Sequence, residues 1–165
     1  MESNFNRSIK VNSSPTEVFT AITEQIQDWW SKNYEGLASK VDDQFTVRFG
    51  NTFKTMRIES IEPNKEVVWR CIDQHLEMPE GMKQLSNKRE WVGNTLIWSI
   101  ELRISGTDLK LIHEGLTPEV ECWGVCEQGW DQSLQSLKSL LSTGKGNPFE
   151  QLDEQHLQKA KTYKK

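Results

Sequence analysis

The sequence predicts one α+β domain in which a curved antiparallel β-sheet closes around a long C-terminal α-helix. Three observations carry this. Several segments between residues 45 and 113 alternate apolar with polar residues and are joined by short turns, as in a meander with one buried face. Between residues 119 and 143, apolar residues recur every three or four positions, the signature of one helix stripe. The length of 165 residues supports one ordinary core and not two.

The elements follow in chain order. Ile9 and Val11 alternate with Ser8 and Lys10, which predicts a first strand over residues 5–11. Ser14, Pro15, Thr16 and Glu17 spell a capping box with proline at the first helical position, so a helix begins at Pro15 and presents Val18, Phe19 and Ile22 inward. Ile26, Trp29 and Trp30 imply a second short helix or turn, and residues 32–40 read as connection. Phe45, Val47 and Phe49 form a strand that Gly50 and Asn51 turn into residues 52–61. After the turn at Pro63, Asn64 and Lys65, Val67, Trp69 and Cys71 share one face of the next strand.

Residues 75–88 form the longest expected loop, placed to cover an opening. Leu96, Trp98, Ile100, Leu102 and Ile104 alternate most regularly of all and predict an inward face running the whole strand. Leu109, Leu111 and His113 continue that face on the returning strand. In the last helix Trp123, Cys126, Trp130, Leu134, Leu137 and Leu141 make the stripe, and Gly144 is the expected C-cap. The domain is drawn at residues 1–146, with 147–165 a polar tail that frays or docks loosely.

Composition narrows the function classes. A net charge of −4 and a pI near 5.5 offer no field for phosphate backbones, which argues against nucleic-acid binding. No apolar run reaches the length of a membrane span, and the N-terminus has no secretory pattern, so membrane insertion is not expected and the cytoplasm is the expected compartment. Cys71, Cys122 and Cys126 make no disulfide framework. Cys122 and Cys126 are spaced to share a helix face, yet no further ligands accompany them, and neither metal nor cofactor is expected. Phosphate loops, nucleophile elbows and HExxH helices are all missing, which leaves no catalytic residue to name.

Two features of the sequence ask for a physical reason. Gly124 and Gly129 weaken a helix interior by about 1 kcal/mol each against alanine, so they imply either close approach of helix and sheet or room for a ligand. His113 is a polar residue on an inward strand face and needs a partner, from the protein or from a ligand. Glu90, Glu101 and Glu114 are candidate partners, but alternation turns Glu101 and Glu114 outward.

The phrases SIKVNSSPTEVFTAIT with Trp29 and Trp30, IEPNKEVVW, EWVGNTLIW, and HEGL followed by a GW-containing helix resemble, in that order, the activator of heat-shock protein 90 ATPase homologue family. The resemblance spans residues 5–146. It implies a START-like, Bet v 1-like (SRPBCC) helix-grip fold, with two short helices after the first strand, and a setting in the stress response. Members of the superfamily commonly hold hydrophobic small molecules between helix and sheet, and some are cyclases or hydrolases. The eukaryotic co-chaperones that name the family carry a further N-terminal domain for much of their ATPase stimulation. This sequence opens directly on the START-like segment, so the expectation is a domain without that part.

The function expected is therefore non-enzymatic binding of a small hydrophobic or amphipathic ligand. An interaction module that touches a chaperone is the second reading, and a small cyclase- or hydrolase-like enzyme the third. The residues expected to line the ligand cavity are Trp30, Phe49, Met56, Trp69, Trp98, Ile100, Leu111, His113, Trp123, Cys126, Trp130 and Leu134.

Overall fold

Period-two patterning puts half the side chains of each strand on one face of the sheet, and that face needs a cover. The structure, a computed structural model, describes residues 3–150. Seven strands form one antiparallel sheet: β1 (Phe5–Val11), β2 (Tyr34–Gly36), β3 (Gln44–Phe49), β4 (Thr52–Glu62), β5 (Glu66–His75), β6 (Thr95–Arg103) and β7 (Gly106–Glu114), in the order β1-β7-β6-β5-β4-β3-β2. From β2 to β7 the chain meanders, and β1 closes the far edge by pairing with β7, Phe5 opposite His113 and Val11 opposite Thr107. The register of β4 on β5 shifts after Thr55 and again after Ile58. Such irregularities bend a strand and strengthen its twist, which is how the sheet acquires its curve.

Helix α1 (Pro15–Thr23) starts as its capping box predicts. The Ser14 hydroxyl accepts from the Glu17 amide at 3.2 Å, and the Glu17 carboxylate accepts from the Ser14 amide at 3.1 Å. A single 3-10 turn, Ile26–Asp28, follows and delivers Trp29 and Trp30 to the core. Helix α2 (Trp123–Thr143) lies against the inner face; its 21 residues span roughly 31 Å at ~1.5 Å each. It ends on Gly144, whose φ of +83° is the left-handed cap that glycine adopts without strain.

Three expectations change. The last helix begins at Trp123, not near Glu119, because Thr117 to Val120 and Val120 to Trp123 close as turns first. The connection 32–40 contains the short strand β2, which pairs with β3. Leu102 and Ile104, read as inward, are 70% and 109% exposed. Ile104 lies in the β6–β7 turn beyond the end of β6, and Leu102 stands one residue before that end, where the core no longer covers it.

The start of the expected tail also docks. Gly146 passes so close to the Asp28 carbonyl that a Cβ would overlap it. Beyond it the Asn147 amide donates to Ser136 Oγ, the Phe149 amide donates to the Trp30 carbonyl, and Phe149 bridges Ser31 in parallel. The rest of the expected tail, residues 151–165, lies outside the described residues.

Candidate functional site

The buried polar chemistry of the core centres on His113. Trp130 Nε1 donates to His113 Nδ1 at 3.1 Å, so the imidazole carries its proton on Nε2 and donates to Asn94 Oδ1 at 2.9 Å. Both nitrogens are thereby satisfied by protein, and the ring packs edge-on to Trp91 at 4.5 Å. Burial, seconded by the nearby charge of Lys54, pushes its pKa down to about 3. His113 is a neutral core residue at any ordinary pH.

Around it six indoles form one continuous cluster. Trp30 stacks on Trp130 at 5.0 Å and on Trp69 at 5.8 Å, Trp29 stacks on Trp30 at 5.7 Å, Trp91 stacks on Trp130 at 5.7 Å, and Trp98 meets Trp69 and Trp130 edge-on. These are the offset and T-shaped geometries that ring quadrupoles favour. The indole N–H groups of Trp69, Trp91 and Trp98 are buried without a hydrogen-bond partner among the described residues. Trp69 and Trp98 are fully buried and pack the part of the helix–sheet interface that lies behind this cluster.

The packing ends at a cavity of about 420 Å³, bounded by the first half of α2, the β3–β4 hairpin, the loop after β5 and residues 147–149. Trp29, Trp30, Trp91 and Trp130 form its aromatic wall, Phe49 and Phe149 its outer side, and Cys126 and Gly129 its helix side. Into it projects Lys54, which shares the inward parity of Met56 and Ile58 on β4. Its Nζ lies 4.6 Å from the Trp91 ring centre, 4.7 Å from Phe49 and 6.0 Å from Trp30. Among the described residues no ion pair or hydrogen bond reaches the ammonium; besides these ring faces it feels only the charge of the neighbouring thiols of Cys126, Cys71 and Cys122 and of His113. Lys54 keeps partial exposure through the cavity it lines, but loss of hydration at its head lowers its pKa.

Reciprocal carboxylate clasps fix the loop that roofs the cavity. Cys122 gives α2 no side-chain cap; instead Glu90 accepts from the amides of Glu121 and Cys122, both at 2.9 Å. An anion at a helix N-terminus meets both the unsatisfied amides and the positive end of the dipole. Glu121 in turn accepts from the amides of Ser86 and Asn87. Gln74 Oε1 holds the Trp91 amide at 2.9 Å, which seats the Trp91 ring on Trp130.

Of the residues expected at the site, Trp30, Phe49, Cys126 and Trp130 border the cavity. Met56, Trp69, Trp98, Ile100, Leu111, His113 and Leu134 are buried in the closed core beside it, and Trp123 is half-buried against Phe5. The sequence reading missed Lys54, Trp29, Trp91 and Phe149. Lys54 had a signal in its parity with Met56 and Ile58; Trp91 and Phe149 had none, because irregular segments carry no period. Close approach does not explain Gly124 and Gly129, since a Cβ at either would meet nothing. Gly129 instead borders the cavity.

Glu101 and Glu114 are exposed, as alternation predicts, and Glu90 serves the helix cap and not His113. Cys71, Cys122 and Cys126 are free thiols. The Cys122 thiol donates toward Cys126 and lowers its pKa, with Lys54 adding in the same direction. Among the described residues no group of three or more His, Cys, Asp or Glu side chains gathers around a common point. No described helix is long and apolar enough to cross a membrane.

Comparison with solved structures finds the same architecture repeatedly. The Aha1 dimer from Colwellia psychrerythraea is similar at 26% identity with a TM-score of 0.69, over 87% of this chain and 98% of that one. Protein MLL2253 from Mesorhizobium loti shares the fold at 19% identity and a TM-score of 0.64, over 84% of this chain and 96% of its own. DynU16, a protein in the dynemicin biosynthetic locus, shares it at 16% identity and a TM-score of 0.68, over 88% of this chain and 49% of that one. No curated protein sequence gives a significant match. The family described as Activator of Hsp90 ATPase homolog 1-like protein matches residues 12–142, and with the helix-grip fold this establishes that the chain belongs to that family, within the Bet v 1-like superfamily.

Proposed function

We propose that this domain binds a small hydrophobic or amphipathic molecule, without chemical turnover, in the cavity between α2 and the sheet. The observation that carries the reading is the cavity itself: about 420 Å³, walled by four indoles and two phenyl rings, and continuous with the core of a helix-grip domain. Its size, and its aromatic walls interrupted by polar side chains such as Thr52, Lys54 and Gln132, are those of a small-molecule site. A catalytic reading asks for a buried polar pair facing the cavity, whereas the His113–Asn94 pair lies in the closed core and is spoken for by Trp130.

Titration with a panel of fatty-acid-like and neutral apolar ligands tests the proposal. The expected result is saturable quenching of tryptophan emission with a matching heat of binding, together with a retained ligand in native mass spectra of protein from its own host. Unchanged emission and no heat across the panel would refute it. A second reading, contact with a chaperone through the outer surface, is favoured by the family match, and a chaperone co-purifying with the tagged chain would support it.

A further inference from the structure

A site for a neutral apolar molecule has no use for the side chain that stands at the centre of this one. Lys54 occupies an inward position of β4 where Met56 and Ile58, two and four residues on, are fully buried apolar residues. Its ammonium has lost hydration and recovers only part of it from the faces of Trp91 and Phe49. A carboxylate stands on the same cavity wall, yet Glu77 is turned to His75 Nε2 at 2.7 Å and to Lys88 at 3.5 Å. The remaining titratable neighbours are His113, kept neutral by its burial, and the thiols of Cys71, Cys122 and Cys126. A cation thus faces an aromatic-walled space with no carboxylate paired to it among the described residues.

We infer that Lys54 anchors the carboxylate head of an amphipathic ligand whose apolar tail lies against Trp30, Trp91 and Trp130; this rests on the reading of the cavity as a ligand site. The stoichiometry of donors names the head group. Among the described residues one ammonium is the only basic group lining the cavity, enough for a monoanion, whereas a phosphate takes several charge-assisted donors. Desolvation of the amine has already occurred in the free protein, so an arriving carboxylate meets a partner that is prepared for it. It would also have no water competing from the aromatic side.

Octanoate, octanol, octylamine and octyl phosphate, which share one tail, separate the possibilities when titrated at pH 7.5 by calorimetry and tryptophan emission. The expected order in the wild type is octanoate tighter than octanol by tenfold or more, with octylamine weakest. Lys54→Met should bring octanoate and octanol level while keeping octanol binding, and Lys54→Arg should restore the preference. Equal binding of octanoate and octanol by the wild type would overturn the role of Lys54 and leave the cavity reading intact. Octyl phosphate binding tighter than octanoate would overturn the assignment to carboxylates. Failure of all four to bind would remove the cavity reading itself. The wild-type comparison decides between these outcomes even where a Lys54 variant does not fold.

Discussion

Acid should loosen this domain through His113 well before its carboxylates titrate. The imidazole is fully buried, hydrogen-bonded as a neutral ring, and held at a pKa of about 3, against 6.5 when unperturbed. Because the folded pKa is depressed, protons bind preferentially to the unfolded chain. The neutral-ring contribution is complete above pH 6.5 and is lost as pH falls toward 3. From these two values the loss between pH 7.5 and 5 is about 2 kcal/mol, out of roughly 5 kcal/mol available at the acid limit. Glu59, lowered first by Arg57, and Glu77, lowered first by His75, titrate below the ordinary 4.5 and so fall outside that window.

His113→Leu isolates the effect. At pH 7.5 the variant should be less stable by about 2–4 kcal/mol, since Trp130 Nε1 and Asn94 Oδ1 lose their partner. The gap should narrow by about 2 kcal/mol at pH 5, where only the wild type has lost its histidine contribution. Urea midpoints of both proteins across this range provide the measurement, with His113→Gln replacing the leucine variant if that one does not fold. Parallel pH profiles for wild type and variant would refute the placement of a neutral, desolvated imidazole.

Further outcomes follow from other residues. Leu134→Asp should unfold the domain, because the residue is 4% exposed at the centre of the α2 stripe and an unpartnered carboxylate there costs several kcal/mol; Gln135→Asp, on the exposed side, should change the melting temperature little. Gly129→Ala should stabilise by about 0.5–1 kcal/mol, since its Cβ meets open space in a helix, while Gly146→Ala should destabilise, since its Cβ would overlap the Asp28 carbonyl and push the following residues off Ser136 and Trp30; thermal melts of the pair check both signs. Glu90→Ala should cost about 1–2 kcal/mol by uncapping α2 and releasing the roof loop, read as faster amide exchange at Glu121 and Cys122.

How far the sequence could be read depended on whether a segment carried a period. Strands β3 to β7 and the α2 stripe were legible because alternation and three-to-four spacing reflect burial directly, and α1 because its capping box is a local chemical motif. Periodicity reports which face of a strand is inward but not how far the cover extends, which is why Leu102 and Ile104 misled. At the site the limits were sharper. Trp30 and Trp130 border the cavity while Trp69 and Trp98 plug the core, a distinction set by tertiary packing that residue type does not encode. Trp91 and Phe149 arrive on loops whose positions depend on Gln74 and on the backbone of residues 30–32, partners remote in sequence.

The indole cluster has an optical consequence. Trp29, Trp30, Trp69, Trp91, Trp98 and Trp130 are linked ring to ring at 5.0–5.9 Å, so an excitation born on one can hop to any other before it decays. The six behave as one antenna, whose brightness is governed by its most quenched member. A molecule that touches only Trp30 or Trp91 in the cavity therefore dims the entire set. Circular dichroism of the aromatic transitions should show coupled bands of opposite sign, which weaken when Trp130, the ring that ties Trp91 to the others, is replaced by phenylalanine.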